Sequence, residues 1–115
     1  MGYSDDLRQL TEALEKASLE QSALGVRAVV SNGSIKEAAL LIISKGKIVE
    51  AHCGQLKGTF ALKNFLNSQL LDLFLYDPGT PEIENISEDL DATIVILKSR
   101  AKGSYFRNYS SVLET

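Results

Sequence analysis

One histidine and one cysteine, His52 and Cys53, stand side by side in a chain of 115 residues. A thiol and an imidazole within hydrogen-bond reach make a nucleophile and its base. Neighbouring residues on a strand point to opposite faces, so these two cannot form that pair with each other in one chain. A structural zinc site needs about four ligands, and a single His with a single Cys does not supply them. Gly54-Gln55-Leu56-Lys57-Gly58 precedes a segment that reads as a helix, and a helix N-terminus beside Lys57 has the chemistry of an anion site. The Walker pattern is absent, because Gly58 is followed by Thr59 rather than by Lys and then Ser or Thr. Packing gives these glycines a sufficient explanation. The acids Asp77, Glu82, Glu84, Glu88, Asp89 and Asp91 run without an intervening base. They lack the spacing and the glycine of an EF-hand loop, and part of the run is the acidic first turn of a helix. No catalytic residue, metal ligand or cofactor is expected, and the chain reads as non-enzymatic.

A second chemistry lies near the other end. Lys98, Arg100, Lys102 and Arg107 run without an acid, beside Tyr105, Phe106 and Tyr109. Bases interleaved with aromatics grip phosphates and stack on nucleobases. The plainer reading is that the first three bases complement a helix C-terminus. An acidic partner, or the acidic run of a second copy, is another use for them. The opposed charge blocks suit self-association, including a homodimer.

The elements that must position these residues follow from periodicity. A helix is predicted over about Asp5–Glu20, capped by Ser4, with Leu7, Leu10, Leu14 and Ala17 as its apolar stripe. Alternation around Val26, Ala28 and Val30, then Asn32-Gly33, predicts a strand and a type I′ hairpin turn. The return strand, about Ile35–Ser44, is apolar on both faces at its centre, which predicts a central strand covered on both sides. Lys45-Gly46 turns the chain into a third strand, Lys47–Cys53, with Ile48 and Val49 on opposite faces. A loop, Gly54–Gly58, leads into a helix over about Thr59–Ser68 with Phe60, Ala61, Leu62, Phe65 and Leu66 on its apolar face. A fourth strand, Leu71–Tyr76, places Leu71, Leu73 and Leu75 on one face and Phe74 and Tyr76 on the other; Asp77-Pro78-Gly79 ends it. Ser87–Gly103 is open between helix and strand. Caps, charges and the spacing of Leu90, Ile94, Leu97 and Ala101 favour a helix, whereas Thr93-Ile94-Val95-Ile96 suits a strand. The expected fold is α+β: an N-terminal helix, a three-stranded antiparallel meander, a helix, a fourth strand and a C-terminal helix, in one domain spanning 1–115.

Composition agrees with that size. The hydrophobic fraction is 44% and the charged fraction 23%, a balance that buries a core without disulfide or metal. A lone cysteine fits a reducing compartment. The acidic start, Met1 to Leu10, is no signal peptide, and the longest aliphatic run, Ala38–Ile43, is far short of the roughly 20 residues of a membrane span. A cytoplasmic protein is expected. The net charge of −3 weighs against non-specific nucleic-acid binding.

From Gly46 to Leu62 the spacing is distinctive: Gly46, Ile48, Ala51, Gly54, Gly58, Ala61 and Leu62. This resembles the central motif of PATAN-type domains, a bacterial family of poorly defined function, over about Leu40–Tyr76. In physical terms Gly46 serves the hairpin, and Ala51 lets the next helix lie close. Gly54 and Gly58 bend strand into helix, while Ala61 and Leu62 pack that helix back. The resemblance implies a protein–protein interaction module, an adaptor in bacterial signalling or surface-motility control, with a response regulator or motility protein as partner. Candidate partner-binding residues are Lys57, Lys63, Lys98, Arg100, Lys102, Tyr105, Phe106 and Arg107. The alternative is a small nucleic-acid-binding regulator using the basic, aromatic segment.

Overall fold

The structure, a computed structural model, describes residues 2–101, and side chains from Asp5 to Arg100. Three helices cover one face of an antiparallel sheet. The elements are α1 (Gly2–Glu20), β1 (Leu24–Asn32), β2 (Ile35–Ser44), β3 (Lys47–Cys53), β4 (Leu56–Lys57), α2 (Thr59–Leu66), β5 (Gln69–Tyr76), β6 (Glu88–Asp89) and α3 (Leu90–Ala101). The sheet runs β4-β3-β2-β1-β5, and β6 pairs with β3. The α+β class and the meander are as expected. The strands number more than four because two short ones close the edge of β3.

Apolar periodicity selects the core. Leu7, Leu10, Leu14 and Ala17 of α1 are buried, with Ala61, Leu62 and Phe65 of α2 and Leu90, Ile94 and Leu97 of α3. They pack on Val26, Ala28 and Val30 of β1, Leu41 and Ile43 of β2, Ile48, Ala51 and Cys53 of β3, and Leu70 of β5. The ambiguous last segment is therefore helical, because only a 3.6-residue period brings Leu90, Ile94 and Leu97 onto one buried face. Glu88 and Asp89 before it are strand, not a helical first turn. Helix α1 begins at Gly2, so Ser4 lies inside it and is no cap.

Turn chemistry corrects one local expectation and agrees with another. The first hairpin turns on Gly33-Ser34, with Asn32 still paired to Ile35. Gly33 has φ +69° and Ser34 no positive φ, which suits a type II′ rather than a type I′ turn. The second hairpin carries positive φ at both Lys45 and Gly46, as type I′ requires.

Two register shifts decide which residues reach the core. Ile42 pairs with Glu50 and Ile43 with Ile48, leaving Val49 extra. Side chains alternate along a regular strand, so residues three apart face opposite ways. The bulge at Val49 is what lets both Ile48 and Ala51 face the helices. In β5 a second shift pairs Val29 with Asp72 and Val30 with Leu70. Leu70 therefore fills the core, and Leu71 is exposed rather than sharing a face with Leu73 and Leu75. Helix α2 ends at Leu66, and its Phe60 points to solvent at 72% exposure, outside the expected apolar face.

Candidate interaction face and the closed edge of β3

Among the described residues no helix covers the second face of the sheet. Its residues fall in rows across β5, β1, β2 and β3: Tyr76, Gly25, Ile42 and Glu50; then Phe74, Arg27, Leu40 and His52; then Asp72, Val29 and Ala38, with Gly54 hydrogen-bonded to Ala38. The segment 78–83 crosses the first row, sharing a groove with Tyr76, Ile42 and Glu50. Ile42 is consequently buried yet stands outside the helical core. The other two rows stay open. They floor a shallow trough of 510 Å³, with Phe74 on one wall and His52 on the other. The central strand is thus covered on both sides only at Ile42; Leu40 is half-buried and Ala38 exposed.

Aromatic stacking shapes one wall. The rings of Phe74 and Tyr76 lie 6.0 Å apart at 20°, and the Arg27 guanidinium sits 5.4 Å from the Tyr76 ring centre, a cation–π distance. Gly25 makes this possible: a Cβ there would run into the Tyr76 ring. Phe74 is 61% exposed. Among the described residues, none of the candidate partner-binding residues lines this trough. Its signal was the unbroken apolar run of β2 beside the alternation of β5, Asp72-Leu73-Phe74-Leu75-Tyr76.

His52 and Cys53 do point apart. His52 faces the trough side, its Nε2 2.6 Å from Glu50 Oε2. Cys53 is buried among core residues, accepting from Asn64 Nδ2 at 3.2 Å. Burial pushes its thiol above the ordinary value of 9.0; the Asn64 hydrogen bond opposes this and the Glu37 charge adds to it. A thiol held protonated on the face opposite the imidazole is not an activated nucleophile.

The outer edge of β3 is closed piecewise. β6 pairs with Lys47 and Ile48, and β4 with His52 and Cys53. Between them Asn85 takes the place of a strand: its N–H donates to Val49 O at 2.9 Å, Ala51 N–H donates to Asn85 Oδ1 at 3.0 Å, and Asn85 Nδ2 donates to Ala51 O at 3.2 Å. Gly58 N–H also donates to Ala51 O at 2.9 Å, and Leu90 N–H to Gly46 O at 3.1 Å. Three of the motif residues, Gly46, Ala51 and Gly58, are thereby tied to this edge. Gly58 has φ +67°, and a Cβ on it would meet Asn85 O at 2.8 Å. The expected loop Gly54–Gly58 contains β4, and Ala61 and Leu62 pack against β3 as expected.

The predicted partner-binding residues are scattered. Lys57 on β4 and Lys63 on α2 are exposed. Lys98 reaches α1, its Nζ 2.5 Å from Glu15 Oε2. Arg100 donates from Nη1 to Leu66 O at 2.5 Å and from Nη2 to Ser68 O at 2.6 Å, tying α3 to the α2–β5 junction. Arg100 is thus engaged inside the fold. Lys102, Tyr105, Phe106 and Arg107 lie outside the described residues. Among the acids, Asp91 accepts from Ser18 Oγ at 2.6 Å. Among the described residues, no group of three or more His, Cys, Asp or Glu is placed to share a metal ion. No described helix is long and apolar enough to cross a membrane.

Comparison with protein-family models, curated proteins and solved structures finds no significant match to this chain.

Proposed function

We propose that this chain is a non-enzymatic binding module, an adaptor that seats a protein partner on the open face of its sheet. The observation that carries the reading is the trough itself. An antiparallel sheet facing water shows a polar outer face, but here Phe74, Val29, Leu40 and Ala38 stand together around a concavity. Exposed aromatic and arginine side chains at such a patch are the residue types that anchor protein interfaces. The finer assignment, to bacterial signalling or surface-motility control with a response regulator or motility protein as partner, rests on the resemblance of Gly46–Leu62. The nucleic-acid reading is the weaker one, since Lys98 and Arg100 are engaged within the fold.

The test places a photoreactive benzoylphenylalanine at position 74 in the full chain, in the native cell, with Leu19 as an exposed control on α1. Protein adducts at 74 and none at 19 are expected. Adducts at both positions alike, at neither, or to nucleic acid at 74 would remove the proposal.

A further inference from the structure

We infer that the partner seated on this face is a second copy of the same chain, packed about a two-fold axis beside Phe74. The inference rests on the open face being a docking surface and deepens that reading. A two-fold interface uses one patch twice, so the patch must complement itself. This one carries one charge of each sign at its centre, Arg27 and Asp72, both exposed. A face built for an acidic or a basic partner would carry a single sign. Neither side chain has an ion pair within the chain among the described residues; Arg27 instead leans over Tyr76.

The register fixes what such an axis brings together. Arg27 pairs across to Phe74, and Val29 to Asp72. Arg27 and Asp72 are therefore diagonal neighbours, with Phe74 at one corner and Val29 at the other. Strands lie about 4.8 Å apart and alternate side chains on one face about 6.8 Å apart. An axis parallel to the sheet, crossing the Arg27–Asp72 diagonal at right angles through its midpoint, puts Arg27 of each copy opposite Asp72 of the other. The same axis passes beside Phe74, so the two rings meet each other. It passes as close to Val29 at the opposite corner, so the two Val29 side chains meet as well, and the covering segment 78–83 of each copy lies beyond the β5 edge of the other's sheet.

The experiment is sedimentation velocity across a dilution series of the full chain, with Arg27→Asp, Asp72→Arg and both together. A wild-type dimer is expected. Each single substitution sets like charges opposite each other and raises Kd about tenfold or more. An equimolar mixture of the two single variants restores dimers. In that mixed pair the aspartate introduced at position 27 of one copy faces the arginine introduced at position 72 of the other, and the two unchanged residues, Arg27 and Asp72, face each other. The double variant dimerises as the wild type does. Circular dichroism of each variant verifies that the fold is kept. A monomeric wild type, a dimer insensitive to both single changes, or single variants whose mixture stays monomeric would overturn the inference. The cross-link at position 74 separates the two levels. An adduct with a different protein keeps the binding module and removes the second copy. An adduct of twice the chain mass supports both.

Discussion

Replacing Asn85 by alanine tests the account of the β3 edge most directly. Ala51 is fully buried, and its N–H has Asn85 Oδ1 as its acceptor at 3.0 Å. Truncation leaves that N–H without a partner, at a cost of about 1–3 kcal/mol. The second bond, from Asn85 Nδ2 to Ala51 O, is lost as well. Its loss costs less, about 0.5 kcal/mol, the low end of a net hydrogen bond, because Gly58 N–H still serves the same carbonyl. A total near 2 kcal/mol lowers Tm by roughly 10 °C in a domain of this size. Thermal and urea unfolding followed by circular dichroism give the magnitude. Amide exchange gives the location: Ala51 loses protection while Val26 and Leu41, in the middle of the sheet, keep theirs relative to the new global stability. A Tm within about 2 °C of wild type, or an equal loss of protection at all three amides beyond the global change, would refute the reasoning.

Further outcomes follow from named contacts. Gly58→Ala should cost about 2–3 kcal/mol and Gly33→Ala about 1 kcal/mol, measured by urea unfolding. Both hold positive φ, but only at Gly58 does the new Cβ meet backbone, at Asn85 O. Arg100→Lys should lose about 1–2 kcal/mol by the same assay, because a single ammonium cannot fork to both Leu66 O and Ser68 O. Cys53 fixes a pH dependence. Its folded pKa is raised above 9.0, so the native state binds the thiol proton more tightly than the unfolded chain. The stability this contributes is fully present below pH 9.0 and is lost as pH rises through the folded value. Urea unfolding of wild type and Cys53→Ala should therefore differ in slope only at alkaline pH, with the wild type falling faster.

Much of this fold was legible in the sequence, and the misses have physical causes. Leu7, Leu10, Leu14 and Ala17 announced α1, since a single amphipathic stripe suffices to define a helix face. The meander was readable because Asn32-Gly33 and Lys45-Gly46 sit between alternating runs. The bulges at Val49 and Leu71 were not, because a bulge is a property of two strands and periodicity reads one at a time. The three-residue spacing of Ile48 and Ala51 was the available sign: both are small-to-medium apolar residues, and a regular strand cannot bury both on one face. The role of Asn85 was hidden for a similar reason. It sits in a polar stretch among Glu82, Ile83 and Glu84 and gains its partners, Val49 and Ala51, from 34 residues away in the case of its side-chain bond to Ala51. The candidate face was legible only in part. The run Ala39-Leu40-Leu41-Ile42-Ile43 implied cover on both sides, and the second cover proved to be a strap over Ile42 with the rest left open.

The path of the strap also orders assembly. β1, β2 and β3 close through hairpins a few residues long, a local step that needs little loop entropy. The chain must then leave β5, cross the open face and round the β3 edge before α3 can lie on the helical layer. There Ser18 meets Asp91, 73 residues apart in sequence, and Glu15 meets Lys98. Contacts this distant in sequence gain little until the sheet exists to be wrapped, so α3 is expected to dock late in folding. Interactions made after the transition state govern how fast a protein comes apart. Arg100→Lys and Asn85→Ala are therefore expected to speed unfolding, read by stopped-flow dilution into urea, while leaving the refolding rate nearly unchanged.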